Sequence, residues 1–188
     1  MTRVAGLLLA AGSGSRLGMP KALVELDGQT LVDRGVALLR EGGCDPVVVV
    51  LGAAVVGVEG AQVVVAQDWA QGMSASLRAG LAALDADACV VALVDQPLIG
   101  AEAVRRLVAL APTADAAVAT YDGKHRNPVL LSRSIWPELD LAGDAGARQW
   151  LRDNPTRVTL VPCDDTGSPF DIDAPADLAL LRKNGLDR

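Results

Sequence analysis

Short apolar runs alternate with amphipathic stretches along this chain. Val4–Ala10 is aliphatic and ends in glycines, which predicts a buried strand. Pro46–Leu51 and Ala88–Val94 read the same way, and Gln62–Ala66 reads as another strand. Between them, Leu31–Glu41, Ser74–Leu84 and Ala101–Ala111 space their apolar residues as helices do. Thr30-Leu31-Val32-Asp33 resembles a capping box opening the first of these, and Gly42-Gly43 ends it. Further on, Asp115–Thr120, Asn127–Leu131 and Arg157–Val161 predict strands, with helices over Ala145–Arg152 and Ala174–Arg182. Continuous apolar strands alternating with helices predict an α/β fold, a mostly parallel sheet covered on both faces in three layers. One such unit is expected over residues 1–188. Ligands of these sheets sit beyond the carboxyl ends of the strands. That rule points to three places: after Ala10, after Val94 and around Asp171–Asp173.

Composition narrows the function. A hydrophobic content of 51% argues against intrinsic disorder. The chain carries 17 basic against 23 acidic residues, and only 3% of it is aromatic. No basic patch stands out, so nucleic-acid binding by charge and base stacking is not expected. The longest apolar run, Val47 to Val58, contains two glycines and falls short of the ~20 residues that span a membrane. The apolar N-terminal stretch leads into Gly12-Ser13-Gly14-Ser15-Arg16 with no cleavage-like site, so it is not read as a signal peptide and a cytoplasmic protein is expected. Cys44, Cys89 and Cys163 fit neither a zinc spacing nor a disulfide framework and are expected to be buried thiols.

The chemistry concentrates in the loop from Leu9 to Lys21. Its small residues and glycines let backbone N–H groups approach an anion and point inward. Arg16 and Lys21 add fixed positive charge, so the loop reads as a polyphosphate cradle. It is not a Walker A loop, because no Gly-Lys-Ser/Thr follows. Nor is it the dinucleotide fingerprint: the spacing is G-x-G-x-x-x-G, with no ribose-binding acid at the expected distance. Pro20 discourages a long helix starting at the glycines.

The pattern from Leu9 to Lys21, L-A-A-G-x-G-x-R-x-G-x-P-K, resembles the signature loop of MobA-like nucleotidyltransferases. The resemblance continues along nearly the whole chain. Trp69–Arg78 looks like the family's W-x-x-G-M-x-x-S-L segment, and Val94-Asp95-Gln96-Pro97 like its metal-site motif. Gly143–Arg148 and Asp171–Asp177 match two late motifs. The late pair most resembles the branch containing molybdenum cofactor cytidylyltransferase. The resemblance implies a GT-A-type fold. It also implies transfer of a nucleotidyl group, from CTP in this branch, to a phosphorylated acceptor such as molybdopterin.

It further implies roles for particular residues. Leu9, Ala10, Ala11, Gly12, Gly14 and Lys21 would hold the nucleotide, with Gly72 and Ser76 on the other side of the base. Arg16 and Lys21 would stabilise phosphate charge. Asp95 and Asp173 would hold a Mg²⁺ ion, which takes carboxylate oxygens and water. Arg126, Asp144 and Arg148 would meet the acceptor. Alternatives stand beside these roles. Asp173 also reads as a helix N-cap ahead of Pro175, and Asp95 as a turn residue. Asp171 is either a third metal ligand or a structural hydrogen-bond acceptor. Asp144 and Arg148 also read as a helix-start ion pair. Asp164-Asp165 reads as a solvated turn.

Two departures from the branch bear on specificity. Relatives typically carry an Asn before the W-x-x-G-M segment, near the base. Here that place falls at about Ala66, with Gln67 and Asp68 as possible substitutes, and Ala66→Asn is expected to sharpen base choice. The branch often reads G-R-x-G-H-P where this chain reads Gly123-Lys124-His125-Arg126-Asn127-Pro128. That basic cluster reads as a grip on an anionic acceptor or as an exposed charged turn. Two other functions compete with nucleotidyl transfer: a nicotinamide-dependent oxidoreductase, and a non-catalytic nucleotide-binding partner for maturing a molybdoenzyme apoprotein.

Overall fold

The computed structural model describes residues 2–184, so the outermost residues of the unit expected over 1–188 lie outside the described residues. In chain order the elements are β1 (Val4–Leu9), the short ribbon β2 (Glu25–Leu26) and β3 (Gln29–Thr30), α1 (Leu31–Glu41), β4 (Val47–Leu51), β5 (Gln62–Val65) and α2 (Met73–Ala82). There follow β6 (Ala88–Leu93), α3 (Ala101–Val108), β7 (Ala116–Tyr121), β8 (Lys124–Ser132), α4 (Arg148–Asp153), β9 (Val158–Pro162) and α5 (Pro175–Asn184).

Seven strands form one sheet in the order β5-β4-β1-β6-β8-β7-β9. The pairs β1·β4, β1·β6, β4·β5 and β7·β9 are parallel, and β8 runs antiparallel to β6 and β7. The predicted mostly parallel α/β sheet is thus observed. Alternation along β1 explains its two covered faces. Leu8 joins an apolar layer with Val36 and Leu39 of α1 and Val104 and Leu107 of α3. Leu7 and Leu9 join the opposite layer with Leu77 and Leu81 of α2. Thr30 caps α1 as predicted, its hydroxyl oxygen accepting from the Asp33 N–H. Because β4 and β6 flank β1 on either side, a crevice opens beyond the carboxyl end of β1, where ligands of doubly wound sheets bind.

Three local features differ from the sequence reading. The basic cluster Lys124, His125 and Arg126 is not a turn; it opens β8, three residues before the predicted start. The turn is Asp122-Gly123, both at positive φ, as a two-residue hairpin loop requires. That Asp-Gly signal stands in the sequence. The predicted helix Ala145–Arg152 begins only at Arg148, because the preceding loop docks on α2 instead. Lys21–Leu23 forms a single 3-10 turn, consistent with Pro20 limiting any helix there. The three cysteines are free and buried, as expected, and burial pushes the Cys44 thiol up to about 12. Among the described residues, no helix is long and apolar enough to cross a membrane.

Candidate active site

The chain leaves β1 stitched to β4: the Ala10 N–H donates to the Val50 carbonyl and the Ala53 N–H to the Ala11 carbonyl. It then folds back on itself, the Gly14 carbonyl accepting from the N–H groups of Leu17 and Gly18 at 2.8 and 2.9 Å. Gly14 sits at φ +59, and a Cβ there would lie 2.0 Å from the Met19 carbonyl oxygen. Gly14→Ala should therefore leave the folded core intact but distort the loop. Strain of this kind costs about 1–3 kcal/mol. Nucleotide titration of the variant, with circular dichroism as the control, should show weakened binding at unchanged helix content.

Leu9, Ala11, Gly12, Lys21, Gly72 and Ser76 line one cleft of about 300 Å³, so six of the eight expected nucleotide residues meet there. Ala10 does not face it; it is 3% exposed and packs in the core. Gly14 acts by shaping the loop.

The two aspartates come from different strand ends. Asp95 follows β6 and Asp173 precedes α5. Their loops are clasped by a backbone bond from the Ile172 N–H to the Asp95 carbonyl, 2.8 Å. The Lys21 ammonium lies between them, 2.6 Å from Asp95 Oδ2 and 2.6 Å from Asp173 Oδ1. Burial pulls Lys21 down, but the hydrogen bonds to Asp173 and Asp95 outweigh it and raise its pKa. The Lys21 hydrogen bond in turn holds Asp173 below the usual carboxylate range. Arg16, largely exposed, stands 3.4 Å from Asp173 Oδ2.

The capping alternative for Asp173 is answered by Asp177. Its Oδ2 accepts from the N–H groups of both Asp173 and Ala174, so Asp177 caps the start of α5. The Asp173 side chain is left to Lys21 and Arg16. Asp171 turns away from Lys21 and accepts from Gln96 Nε2 at 2.8 Å. Burial pushes the Asp171 carboxyl up, against that hydrogen bond. Asp95 Oδ1 and Gln96 Oε1 are buried with no hydrogen-bond partner. An orphaned carboxylate oxygen beside a second carboxylate fits a divalent cation, whose remaining positions take water and phosphate oxygens. No group of three or more candidate ligands occurs among the described residues, so these two carboxylates would be the protein's share.

A second cavity of about 400 Å³ adjoins the first, with Leu93 lining both. Arg126 and Arg148 line it together, with His125 and Arg152 beside them. Asp144 is elsewhere. Its Oδ1 accepts from the Met73 N–H at 2.8 Å, capping α2, and it lines the nucleotide cleft. The sequence reading grouped it with the acceptor residues; the structure places it in the nucleotide cleft, apart from Arg126 and Arg148. Arg152 and Gln96 were missed. Arg152 lies one helical turn after Arg148, a spacing that puts both on one face. Gln96 adjoins Asp95, yet nothing in the sequence signals its bond to Asp171.

The base-side substitutes are also placed. Ala66 is 1% exposed within the apolar layer of α2, so Ala66→Asn would bury an amide in the core rather than reach a base. Asp68 is committed to Arg78 at 2.6 Å. Asp164-Asp165 is an exposed turn, as expected, and Asp165 accepts two hydrogen bonds there from Arg106, at 2.8 and 2.7 Å.

A glycine-rich anion loop facing two clasped carboxylates, at the switch point of a parallel sheet, is a nucleotide-handling arrangement. Comparison specifies it: residues 6–159 match the MobA-like NTP transferase domain, and the chain belongs to that nucleotidyltransferase family. It is 37% identical over 187 residues to nicotine blue oxidoreductase of Paenarthrobacter nicotinovorans, covering 90% of this chain and 92% of that one. It is 33% identical over 192 residues to molybdenum cofactor guanylyltransferase of Rhodobacter capsulatus, covering 94% of each. The solved structure of Rv0371c from Mycobacterium tuberculosis superposes with a TM-score of 0.86 at 30% identity, covering 97% of this chain and 98% of that one. Rv0371c has also been solved as a manganese complex, with a TM-score of 0.81 at 29% identity over 97% of this chain and 99% of that one.

Proposed function

We propose that this protein transfers the nucleotidyl group of a nucleoside triphosphate, preferentially CTP, to a phosphorylated acceptor such as molybdopterin, releasing pyrophosphate. One observation carries the reading: two cavities meet at the Asp95-Gln96 step, one shaped by an anion loop and the other lined by three arginines. A triphosphate suits the first and an anionic acceptor the second. An acceptor phosphate oxygen attacks the α-phosphorus, and pyrophosphate leaves in line. Positioning and charge stabilisation carry such a transfer, with no protein nucleophile. Lys21 and Arg16 hold phosphate oxygens; Arg126, Arg148 and Arg152 orient the acceptor. Asp95 and Asp173 would hold a divalent ion, taken here as Mg²⁺, which would supply charge neutralisation. That the similar protein Rv0371c was solved in complex with manganese supports a divalent ion as part of this reading.

Pyrophosphate release, measured with each triphosphate and molybdopterin, tests the reading. Release that needs both substrates is expected; none with any triphosphate would leave the non-catalytic maturation partner. Base choice should be loose. The cleft offers few neutral polar side chains, Ser13 and Ser76, and backbone edges must do most of the reading. One missing hydrogen bond is about 0.5–1.5 kcal/mol, so the CTP preference should be real but roughly three- to tenfold looser than with that bond in place. A strict GTP preference would overturn the cytidylyl assignment alone.

A second reading rests on one observation, the oxidoreductase name of the 37%-identical relative. Oxidation of a nicotinamide cofactor on mixing with nicotine blue would support it. The loop spacing speaks against it, since the dinucleotide fingerprint is absent.

A further inference from the structure

We propose that Lys21 is the resident cation of the metal site in the nucleotide-free protein, and that a divalent ion gains the site only together with a triphosphate. The inference rests on the nucleotide-binding reading of the cleft. Its basis is the position of one atom. Lys21 Nζ lies 2.6 Å from both carboxylates, in the gap a bridging metal would fill. Lys21 and Asp95 are 17% and 19% exposed, so water screens that contact only weakly, while Asp173 is more open at 39%.

Charge sets the order of binding. Lys21 and Arg16 are the cations facing Asp95 and Asp173, while Asp171 is bonded to the neutral amide of Gln96. A bare divalent ion must take Lys21 out of two contacts of 2.6 Å and offers the ammonium no other anion. A triphosphate offers the displaced ammonium new oxygens. The fit of Lys21 is also incomplete: Asp95 Oδ1 stays buried without a partner while Lys21 is in place. A lysine holds the carboxylates together without satisfying them, so it can be exchanged.

The probe is Mn²⁺ alone, its free concentration followed by electron paramagnetic resonance without nucleotide. Lys21→Met keeps the aliphatic stem and removes the charge. It should bind Mn²⁺ about tenfold or more tightly than the wild type. Adding Asp95→Asn to Lys21→Met should abolish the gain, which ties it to the carboxylate pair. Wild-type protein should take Mn²⁺ tightly only when CTP is present. Equal Mn²⁺ affinity for wild type and Lys21→Met overturns the proposal, as does tight Mn²⁺ binding by the wild type alone. Should Lys21→Met fail to fold, Lys21→Gln and the wild-type comparison carry the same test. Absence of binding by every triphosphate would count against the nucleotidyltransferase reading instead, because the Mn²⁺-only comparison contains no nucleotide.

Discussion

Asp95→Asn should lower pyrophosphate release by roughly 10²–10³-fold while the protein stays folded. The substitution is nearly isosteric and removes only the charge. Asp95 is a demanding place for it. The side chain is 19% exposed, one oxygen is bonded to Lys21, and the other is buried without a partner. An amide can still accept from Lys21, and the backbone clasp from the Ile172 N–H does not involve the side chain. The fold therefore has little to lose. A thermal melt close to wild type with a steep loss of turnover is the expected pair of results. Near-normal turnover would mean that Asp95 serves only to anchor Lys21.

Lys21→Ala should weaken triphosphate binding about ten- to a hundredfold. Charge-assisted hydrogen bonds contribute about 1.5–3 kcal/mol, and Lys21 is the one lysine lining the nucleotide cleft. Its stem already reaches the carboxylates that face the phosphates, so a short movement redirects it. Isothermal titration with CTP and Mg²⁺ measures the effect. Unchanged affinity and turnover would show that Lys21 touches the carboxylates alone. The sign is opposite to that expected for Mn²⁺ without nucleotide, so the two measurements on position 21 check each other.

Much of this was legible in the sequence because the relevant forces are local. Buried strands announce themselves as aliphatic runs, and β1, β4 and β6 fell where Val4–Ala10, Pro46–Leu51 and Ala88–Val94 predicted. The anion loop was readable because small residues, glycines and cations stand in one segment. What escaped depends on contacts between distant segments. Asp144 and α2 are 71 residues apart, and no local pattern says that the aspartate caps that helix. Asp177 likewise relieves Asp173 of capping, a choice between two acids four residues apart that only geometry makes. The hairpin at Asp122-Gly123 was a local signal passed over in favour of the charges beside it.

On the proposed function, β8, the antiparallel strand of the seven-stranded sheet, divides the molecule by substrate. Apart from Asp144, everything lining the nucleotide cleft comes from residues up to Asp95, whereas the acceptor cavity draws on residues from Leu93 onward. Its arginines ride on β8 and α4. An exchange of the β7–β8 hairpin and α4 would therefore rewrite the acceptor while leaving the triphosphate machinery untouched. On that reading the scaffold pairs a fixed donor module, completed by Asp144 and Asp173 from later in the chain, with an interchangeable socket.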